Sequence, residues 1–265
     1  MEQKEFIKDY SFRFKKKFGQ NFIIDENILN NIVSSSKIDK NTLVIEVGCG
    51  AGALTKKLSK VAKRVIGYEI DESLRPILST IDADIIFKDF LKCDVKENLK
   101  KYEYEKLYVV SNLPYYITTP IITKLIEDDI DVDKIVVMVQ KEVGDRFLAK
   151  PNTKEYNSLT IFINYYFNTS KLFLVSKNVF MPRPNVDSIV MKLEKKEIIN
   201  KPKNEELFFK LVKDSFTQKR KTLKNNLKSY DFNKVLEVLK KYNYDENVRA
   251  EALPIDVFIE ISNNL

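Results

Sequence analysis

The sequence has 265 residues, 44% hydrophobic and 31% charged, which is enough for one large α/β domain and a smaller appendage. No run approaches the ~18 consecutive apolar residues of a membrane span, and the N-terminus lacks the apolar core of a signal peptide. We therefore expect a cytoplasmic protein without a membrane anchor. The chain contains no histidine, which excludes histidine-dependent triads and most catalytic zinc sites, so we expect no metal.

The net charge of +7 fits a polyanionic partner, because neutralising phosphates releases counterions and so drives association. Lysine-rich surfaces are also common where they only keep a protein soluble. The two cysteines, Cys49 and Cys93, are too few for a disulfide framework, and we interpret both as structural. We take a monomer as the default oligomeric state.

Hydrophobic periodicity predicts alternating strands and helices from residue 43 onward. The predicted strands are 43–47, 64–70, 84–89, 107–112, 134–140, 171–176 and 188–194. The predicted helices are 25–36, 51–62, 72–80, 119–127 and a basic one around 218–228. This alternation indicates a Rossmann-like α/β fold, in which a mostly parallel sheet carries helices on both faces. A charged, proline-containing linker at 195–206 separates a domain of residues 1–198 from a small all-helical domain of residues 199–265.

A glycine-rich turn follows the first strand of this alternation and opens a helix. Its glycines, Gly48, Gly50 and Gly52, have the spacing G-x-G-x-G, whereas dinucleotide-binding loops use G-x-G-x-x-G. The tighter spacing with an acidic residue just before it, here Glu46, is typical of sites for S-adenosylmethionine. An NAD-dependent oxidoreductase is disfavoured by the same spacing. The sequence therefore predicts an S-adenosylmethionine site at this loop.

Acidic residues end the next two strands. Glu69 lies about twenty residues past the loop, where a carboxylate can accept hydrogen bonds from both hydroxyls of the cofactor's ribose. Asp89 ends the third strand and could accept from the amino group of the cofactor's adenine. Polar residues are common at strand ends. Acidic residues at successive strand ends after a glycine loop nevertheless favour a role in cofactor binding.

The fourth strand runs into Asn112-Leu113-Pro114-Tyr115, at the edge where doubly wound enzymes place their chemistry. In isolation this tetrapeptide could be a simple turn. After the cofactor pattern, it predicts a site that polarises an adenine amino group. The Asn112 side-chain carbonyl and the Leu113 backbone carbonyl would accept the two N–H bonds, Pro114 would hold the corner rigid, and Tyr115 would stack on the base. Alignment and acceptors suffice for such a transfer, so a histidine base is not needed.

The chain resembles the KsgA-type small-subunit rRNA adenine dimethyltransferases, which are related to the erythromycin-resistance methyltransferases. The matching segments are FGQNF (18–22), EVGCGAGALT (46–55), NLPYYITTP (112–120), VQKEVGDR (139–146), FMPRPNVDS (180–188) and FTQKRKTLKNNL (216–227). The resemblance implies that Asn21 and Ile23 close over the cofactor, joining Gly48, Gly50, Glu69, Asp89 and Asn112 as cofactor-binding residues. It also implies that Phe180 faces Tyr115 across the target base.

The resemblance further implies that methyl groups pass from S-adenosylmethionine to two adjacent adenines in the 3′-terminal hairpin of 16S rRNA, in a small ribosomal subunit or its precursor. Lys219, Arg220, Lys221 and Lys224 in the helical domain would hold rRNA phosphates, although a solvated helix face would have the same composition. The lysines at 15–17 could likewise contact rRNA phosphates or only form part of a solvated surface. Two other functions stay open: a 23S rRNA methyltransferase conferring macrolide resistance, and a non-catalytic ribosome-assembly factor.

Overall fold

The computed structural model describes residues 21–265, so the lysines at 15–17 and the start of the FGQNF segment lie outside the described residues. The strands are β1 Phe22–Ile23, β2 Thr42–Val47, β3 Arg64–Glu69, β4 Asp84–Phe87, β5 Lys106–Asn112, β6 Lys134–Gln140, β7 Phe167–Val175, β8 Phe180–Met181 and β9 Ser188–Lys195. The helices are α1 Glu26–Ser36, α2 Ala53–Val61, α3 Arg75–Leu78, α4 Val95–Leu99, α5 Thr118–Glu127, α6 Lys141–Leu148, α7 Ser158–Tyr166, α8 Glu205–Ser215, α9 Leu223–Asn226, α10 Phe232–Lys241 and α11 Ile255–Asn264.

The described residues form two compact units. One comprises residues 21–144 and Ser170–Lys195, and the other comprises Asp145–Thr169 and Lys196–Leu265. The predicted division into domains 1–198 and 199–265 stays a prediction. The second compact unit includes residues 145–169 in addition to the C-terminal segment, because the aromatic side chains of α7 pack in its core.

The first unit is built on a seven-stranded sheet with the order β4-β3-β2-β5-β6-β9-β7. The strands from β4 to β6 run parallel, and β9 is antiparallel to β6. The predicted mostly parallel sheet is confirmed, with the last two predicted strands at its edge. Since the chain proceeds from β2 outward to β4 and then returns to β5 on the other side, the point between β2 and β5 is the topological switch.

Helices α1 and α2 cover one face of this sheet. Asp25 caps the start of α1 by accepting from the backbone N–H of Asn27 at 2.8 Å, and Lys37, the residue after the end of α1, has the left-handed conformation. The apolar side of these helices packs on valines of the strands. These valines lie on one face of the sheet, because every second residue of a strand points the same way. The buried side chains of this face include Leu29, Ile32, Leu54, Leu58, Val44, Val65, Val110, Val136 and Val190.

Two predicted helices differ from the observed ones. The segment 72–80 is a 3₁₀ turn at Glu72–Leu74 followed by the single-turn α3, because Pro76 lacks an N–H and fits only a first helical turn. The basic helix predicted at 218–228 begins only at Leu223. Thr222 caps it, and the Asn226 side chain hydrogen-bonds both backbone groups of Gln218, which holds the preceding residues in a turn.

The second unit is helical and has its own core. Tyr165 on α7 packs against Phe208 on α8 with ring centroids 5.3 Å apart, and Leu239 on α10 and Phe258 on α11 are fully buried. The strongly amphipathic sequence of α10, FNKVLEVLKK, places Val235, Val238 and Leu239 in that core and its lysines outside. Across the described residues 21–265, no helix combines the length and apolarity that crossing a bilayer demands.

Candidate active site

A cavity of about 360 Å³ opens in the first unit at the carboxyl ends of β2, β3 and β5, which is the topological switch point. Its walls include most of the predicted site: Asn21, Ile23, Gly48, Gly50, Glu69, Asp89, Asn112, Leu113, Pro114 and Tyr115. Glu46, the acid predicted just before the glycine loop, lines it too. Phe22, Ile70, Lys88 and Tyr116 also line it, and none of these four was predicted as a site residue. Residues drawn from segments far apart in the chain therefore meet around one cavity.

The glycine loop is folded tightly against two other parts of the site. Gly50 has φ +55°, and a β-carbon there would lie 2.7 Å from the Phe22 ring, so a larger residue would displace that ring. Gly48 has φ +79°, and a β-carbon on it would contact the Pro114 ring at 3.4 Å. The loop thus needs glycine at these positions to bring β2, the N-terminal segment and the end of β5 together.

Glu69 ends β3 and is held in place by the backbone. Its two carboxylate oxygens accept from the N–H groups of Gly50 and Asp71, each at 2.8 Å. Burial raises the pKa of Glu69, and these two N–H donors oppose that rise. A carboxylate oxygen has a second lone pair, so each oxygen keeps an acceptor site for a ligand hydroxyl.

Glu46, at the end of β2, is the most isolated acid of the site. Its side chain is 1% exposed, and its Oε2 atom has no hydrogen-bond partner among the described residues. Burial raises the pKa of Glu46 to about 8; Thr55 beside it acts in the opposite direction, and the charge of Glu69 adds to the rise. A buried carboxyl oxygen without a partner is costly, and a cationic ligand in the cavity would supply a partner for Oε2.

Asp89 lies two residues past the end of β4, at the cap of a 3₁₀ turn over Phe90–Lys92. Its Oδ1 atom accepts from the backbone N–H of Leu91 at 3.1 Å, and the Lys92 ammonium is 4.0 Å from Oδ2. Together Glu46, Glu69 and Asp89 form an acid wall, our name for these three carboxyls. S-adenosylmethionine carries an ammonium, a sulfonium and a ribose diol, so the donor and acceptor chemistry of this wall fits that cofactor.

Another part of the cavity wall is the amide corner, our name for Asn112 and Leu113 at the end of β5. The Asn112 Nδ2 group donates to the backbone carbonyl of Asn21 at 3.1 Å, which fixes which way the amide points. Neither Asn112 Oδ1 nor the Leu113 carbonyl oxygen accepts a hydrogen bond from the described part of the chain. The corner therefore presents two acceptors to the cavity.

The two tyrosines that follow the corner differ. Tyr115 is partly buried, and its hydroxyl lies 2.7 Å from the Ser188 Oγ at the start of β9. Burial raises the pKa of Tyr115, which remains a neutral phenol at physiological pH. Tyr116 is 59% exposed and stands at the cavity mouth. Tyr116 was not predicted as a site residue, because a sequence does not tell which of two adjacent tyrosines faces solvent.

Phe180 is buried beside the N-terminal segment. It lies on β8, which pairs with β1 so that Phe180 is opposite Ile23, and the Ile24 N–H donates to the Val179 carbonyl at 2.9 Å. Phe180 packs in the apolar core with Ile23 and Leu29 and is not among the residues that line the cavity. That Phe180 and Tyr115 face each other across a base stays a prediction.

The predicted RNA-binding cations lie in the second unit. Lys219, Arg220 and Lys221 occupy the turn before α9, where Lys219 donates to the Lys154 carbonyl, and Lys224 forms an ion pair with Glu246 at 2.8 Å. Arg220 and Lys221 are exposed and have no acidic partner in the described chain. Their role in RNA binding stays a prediction.

The chain is similar to known ribosomal RNA methyltransferases over most of its length. The model of the ribosomal RNA adenine dimethylase family matches residues 11–265. The ribosomal RNA small subunit methyltransferase A of Staphylococcus aureus is 46% identical over 266 residues, covering 95% of this chain and 90% of that protein. A dimethyladenosine transferase structure from Plasmodium falciparum has a TM-score of 0.75 at 27% identity, covering 91% of this chain and 95% of that one.

The structure of the 23S rRNA methyltransferase ErmE shares the fold, with a TM-score of 0.70 at 23% identity over 92% of this chain and 99% of that one. The predicted fold class, the enzyme class and S-adenosylmethionine as cofactor are confirmed. The earlier alternative of an NAD-dependent oxidoreductase is thereby excluded. The cavity with its acid wall and amide corner, the sheet that builds it and these full-length similarities lead to one assignment: the chain belongs to the ribosomal RNA adenine dimethylase family.

Proposed function

We propose that this chain methylates the N6 amino groups of two adjacent adenines in the 3′-terminal hairpin of small-subunit 16S rRNA, giving N6,N6-dimethyladenosine. The observation that carries the proposal is the pair of acceptors at the amide corner, Asn112 Oδ1 and the Leu113 carbonyl oxygen, on residues that line the same cavity as the acid wall. An exocyclic amino group has two N–H donors, and two acceptors at one corner match it.

The acid wall would bind the cofactor. S-adenosylmethionine, when bound, supplies an electrophilic methyl group. Glu69 would accept from the ribose hydroxyls, Asp89 from the adenine amino group, and Glu46 would face the positive charge of the amino-acid end. Gly48 and Gly50 allow the backbone to approach this ligand closely, and Asn21 and Ile23 would close over it.

The amide corner would orient the substrate adenine. In the first transfer, accepting from both N–H bonds would pyramidalise the nitrogen and direct its lone pair toward the electrophilic methyl group that the cofactor would supply. The nitrogen is positively charged after transfer and releases one proton to water. Tyr115 would stack on the base, which offsets the cost of taking it out of its stack in the hairpin. Phe180, which is buried against Ile23, would reach the other face of the base only after β1 and β8 rearrange.

The setting of the reaction belongs to the same proposal. The chain would act in the cytoplasm, as a monomer and without a metal, on a small ribosomal subunit or its precursor. Lys219, Arg220, Lys221 and Lys224 would hold rRNA phosphates and so position the hairpin without reading its sequence.

A subunit assay tests this function. Small and large ribosomal subunits from cells that lack the methylation are incubated separately with the enzyme and methyl-labelled cofactor. We expect label in the small-subunit rRNA and only background in the large one. Label confined to the large subunit would support a 23S rRNA methyltransferase instead. Cofactor binding by calorimetry without transfer to either subunit would support a non-catalytic assembly factor.

A further inference from the structure

The first unit has a second cavity, which lies between helices α1 and α2. It measures about 390 Å³, is open to solvent, and is lined by Asn30, Val33, Ser34, Lys37, Ile38, Lys57, Lys60 and Val61. These residues come from the later part of both helices and from the turn after α1. We refer to this cavity as the α1–α2 groove. Its volume is within the range of about 300 to 1,000 Å³ that is typical of small-ligand pockets, and a single nucleotide would fit.

The floor of the α1–α2 groove is apolar, whereas its rim is polar and cationic. Val33, Ile38 and Val61 are half-buried and leave a patch on which a base or a ribose could lie. Asn30 and Ser34 are exposed along one side and offer hydrogen-bonding groups. An apolar floor beside positive charge suits a ligand that has a flat ring and a phosphate.

The three lysines of the rim are not equivalent. Lys57 is already engaged, since its ammonium contacts Glu26 at 2.5 Å and Asn30 Oδ1 at 2.8 Å. Lys37 and Lys60 are exposed, and neither has an acidic partner in the described chain. Their two positive charges therefore remain uncompensated at the rim of the groove.

A helix C-terminus attracts cations, which could by itself explain lysines at this place. Another lysine already has that role for α2. The Lys40 ammonium donates to the carbonyl of Lys60 at 2.8 Å and to that of Ala62 at 3.2 Å, which are end groups of the helix. The Lys60 side chain is therefore not needed to satisfy these carbonyls, and its charge is available for a ligand.

Helix α1 connects the α1–α2 groove with the cavity that the acid wall and the amide corner line, which we call the methyl-transfer cavity. Leu29, near the start of α1, lines that cavity, and Lys37 follows eight residues later. Eight residues of helix rise about 12 Å. Since stacked nucleotides rise about 3.4 Å each, this distance spans roughly three or four nucleotides.

We propose that the α1–α2 groove binds a nucleotide of the substrate RNA a few positions from the target adenine, with phosphates on Lys37 and Lys60 and a base or ribose on the apolar floor. This inference rests on the proposed function, because it takes RNA as the substrate. Charge complementarity selects this occupant: the rim has two uncompensated positive charges, and RNA has one negative charge per nucleotide.

The test removes the two free charges and leaves the fold intact. The double variant Lys37→Asn and Lys60→Gln is suitable because residue 37 has φ +51°, and asparagine tolerates the left-handed conformation better than most residues. A matched control is Lys101→Gln with Lys171→Gln. Both of those lysines are exposed in the same unit and have no acidic partner in the described chain.

Binding of a small-subunit rRNA fragment is measured over a range of salt concentrations, alongside steady-state methylation of intact small subunits. Losing two phosphate contacts should flatten the slope of log K against log salt by about 1.4 to 1.8. If each phosphate contact contributes about threefold to the affinity for RNA, the KM for small subunits should rise about tenfold. The kcat and the cofactor Kd should stay unchanged. The control should stay within twofold of wild type.

A slope and a KM equal to those of the control variant would overturn the proposal. Weaker binding to intact subunits combined with an unchanged salt slope on the isolated rRNA fragment would also overturn it, because the partner of the groove would then be a ribosomal protein. The fragment-binding measurement does not depend on methyl transfer. A failure of the proposed function, seen as no methylation by the wild-type enzyme, is therefore distinguishable from a failure of this inference.

Discussion

The acid wall and the amide corner, two parts of the wall of the methyl-transfer cavity, differ in charge and in how their residues are held. The acid wall consists of three carboxyls, one of which is buried without a partner for its Oε2 atom and two of which are fixed by backbone N–H groups. The amide corner contains no ionisable group, and its one side-chain donor is engaged by Asn21. The difference suggests a division of labour in which charge binds a cationic cofactor and neutral acceptors orient a neutral base.

This division explains how such a reaction proceeds without histidine. A methyl group on a sulfonium is already electrophilic, so the protein needs to align the nitrogen more than to deprotonate it. A charged base next to the target amine would also attract the cationic cofactor to the wrong part of the cavity. The following predictions separate the acid wall from the amide corner, beginning with the largest expected effect.

Replacing Asn112 by alanine should affect the chemical step most. On the proposed mechanism the variant loses one of the two acceptors that would hold the adenine amino group, and removing one such preorganised group typically lowers kcat by about 100- to 1,000-fold. The cofactor Kd should change by only a few fold. Single-turnover methyl transfer to small subunits measures the rate, and Asn27→Ala, an exposed change on α1, is the control. Transfer within a few fold of wild type would contradict the assigned role of the amide corner.

Replacing Glu69 by alanine should affect cofactor binding instead. On the proposed mechanism the Glu69 carboxylate would accept two hydrogen bonds from the ribose hydroxyls, and the variant loses both. Hydrogen bonds to charged groups contribute about 1.5 to 3 kcal/mol each, so the cofactor Kd should rise about 100-fold or more. At saturating cofactor the transfer rate should fall less than tenfold. Calorimetry gives the Kd, with the exposed Glu72→Ala as control. An unchanged Kd would remove Glu69 from the acid wall.

Replacing Glu46 by glutamine should change how stability depends on pH. The folded-state pKa of about 8 lies above the ordinary value of 4.5, so the folded protein keeps a proton that the unfolded chain loses. The contribution of Glu46 to the free energy of unfolding is fully present below pH 4.5 and is lost as the pH rises towards 8. Between pH 6 and 7.5 the loss is on the order of 2 kcal/mol.

Urea unfolding at several pH values measures this effect, without cofactor. The glutamine variant should have a flatter pH profile than the wild type, whereas the exposed Glu103→Gln should keep the wild-type profile. Parallel profiles for the wild type and Glu46→Gln would show that Glu46 is ionised in the folded protein.

Replacing Tyr115 by phenylalanine should have the smallest effect. The ring that would stack on the base is retained, and only the hydrogen bond to Ser188 is lost, which amounts to about 0.5 to 1.5 kcal/mol. The kcat/KM for small subunits should fall by roughly two- to tenfold, and Ser188→Ala should give a similar loss. If each single variant and the double variant are equally impaired, the two residues act as one unit. A hundredfold loss in Tyr115→Phe would instead assign the hydroxyl a direct part in the reaction.

Much of the fold and of the cavity could be predicted because both depend on local patterns. Buried parallel strands have continuous apolar runs, and the left-handed turns at Gly48 and Gly50 need residues without a β-carbon. Because parallel strands all end at the same edge, the residues after β2, β3 and β5 had to meet.

The rest depends on contacts between distant residues. The hydrogen bond from Asn112 to the Asn21 carbonyl spans 91 positions, and the one between Tyr115 and Ser188 spans 73. The isolation of Glu46 likewise results from everything packed around it, and the sequence shows only an acid before a glycine loop. The late start of α9 follows from the Asn226 side chain, which holds the preceding turn.

The identity of the modified atom is the most direct test of the central claim, that the amide corner presents an adenine N6 to the methyl group. Small-subunit rRNA that has been treated with the wild-type enzyme is digested to nucleosides and analysed by mass spectrometry against standards. We predict N6,N6-dimethyladenosine at two adjacent adenines, with N6-methyladenosine as an intermediate at early times. Methyl groups on a ring nitrogen or carbon, or on another base, would contradict the claim.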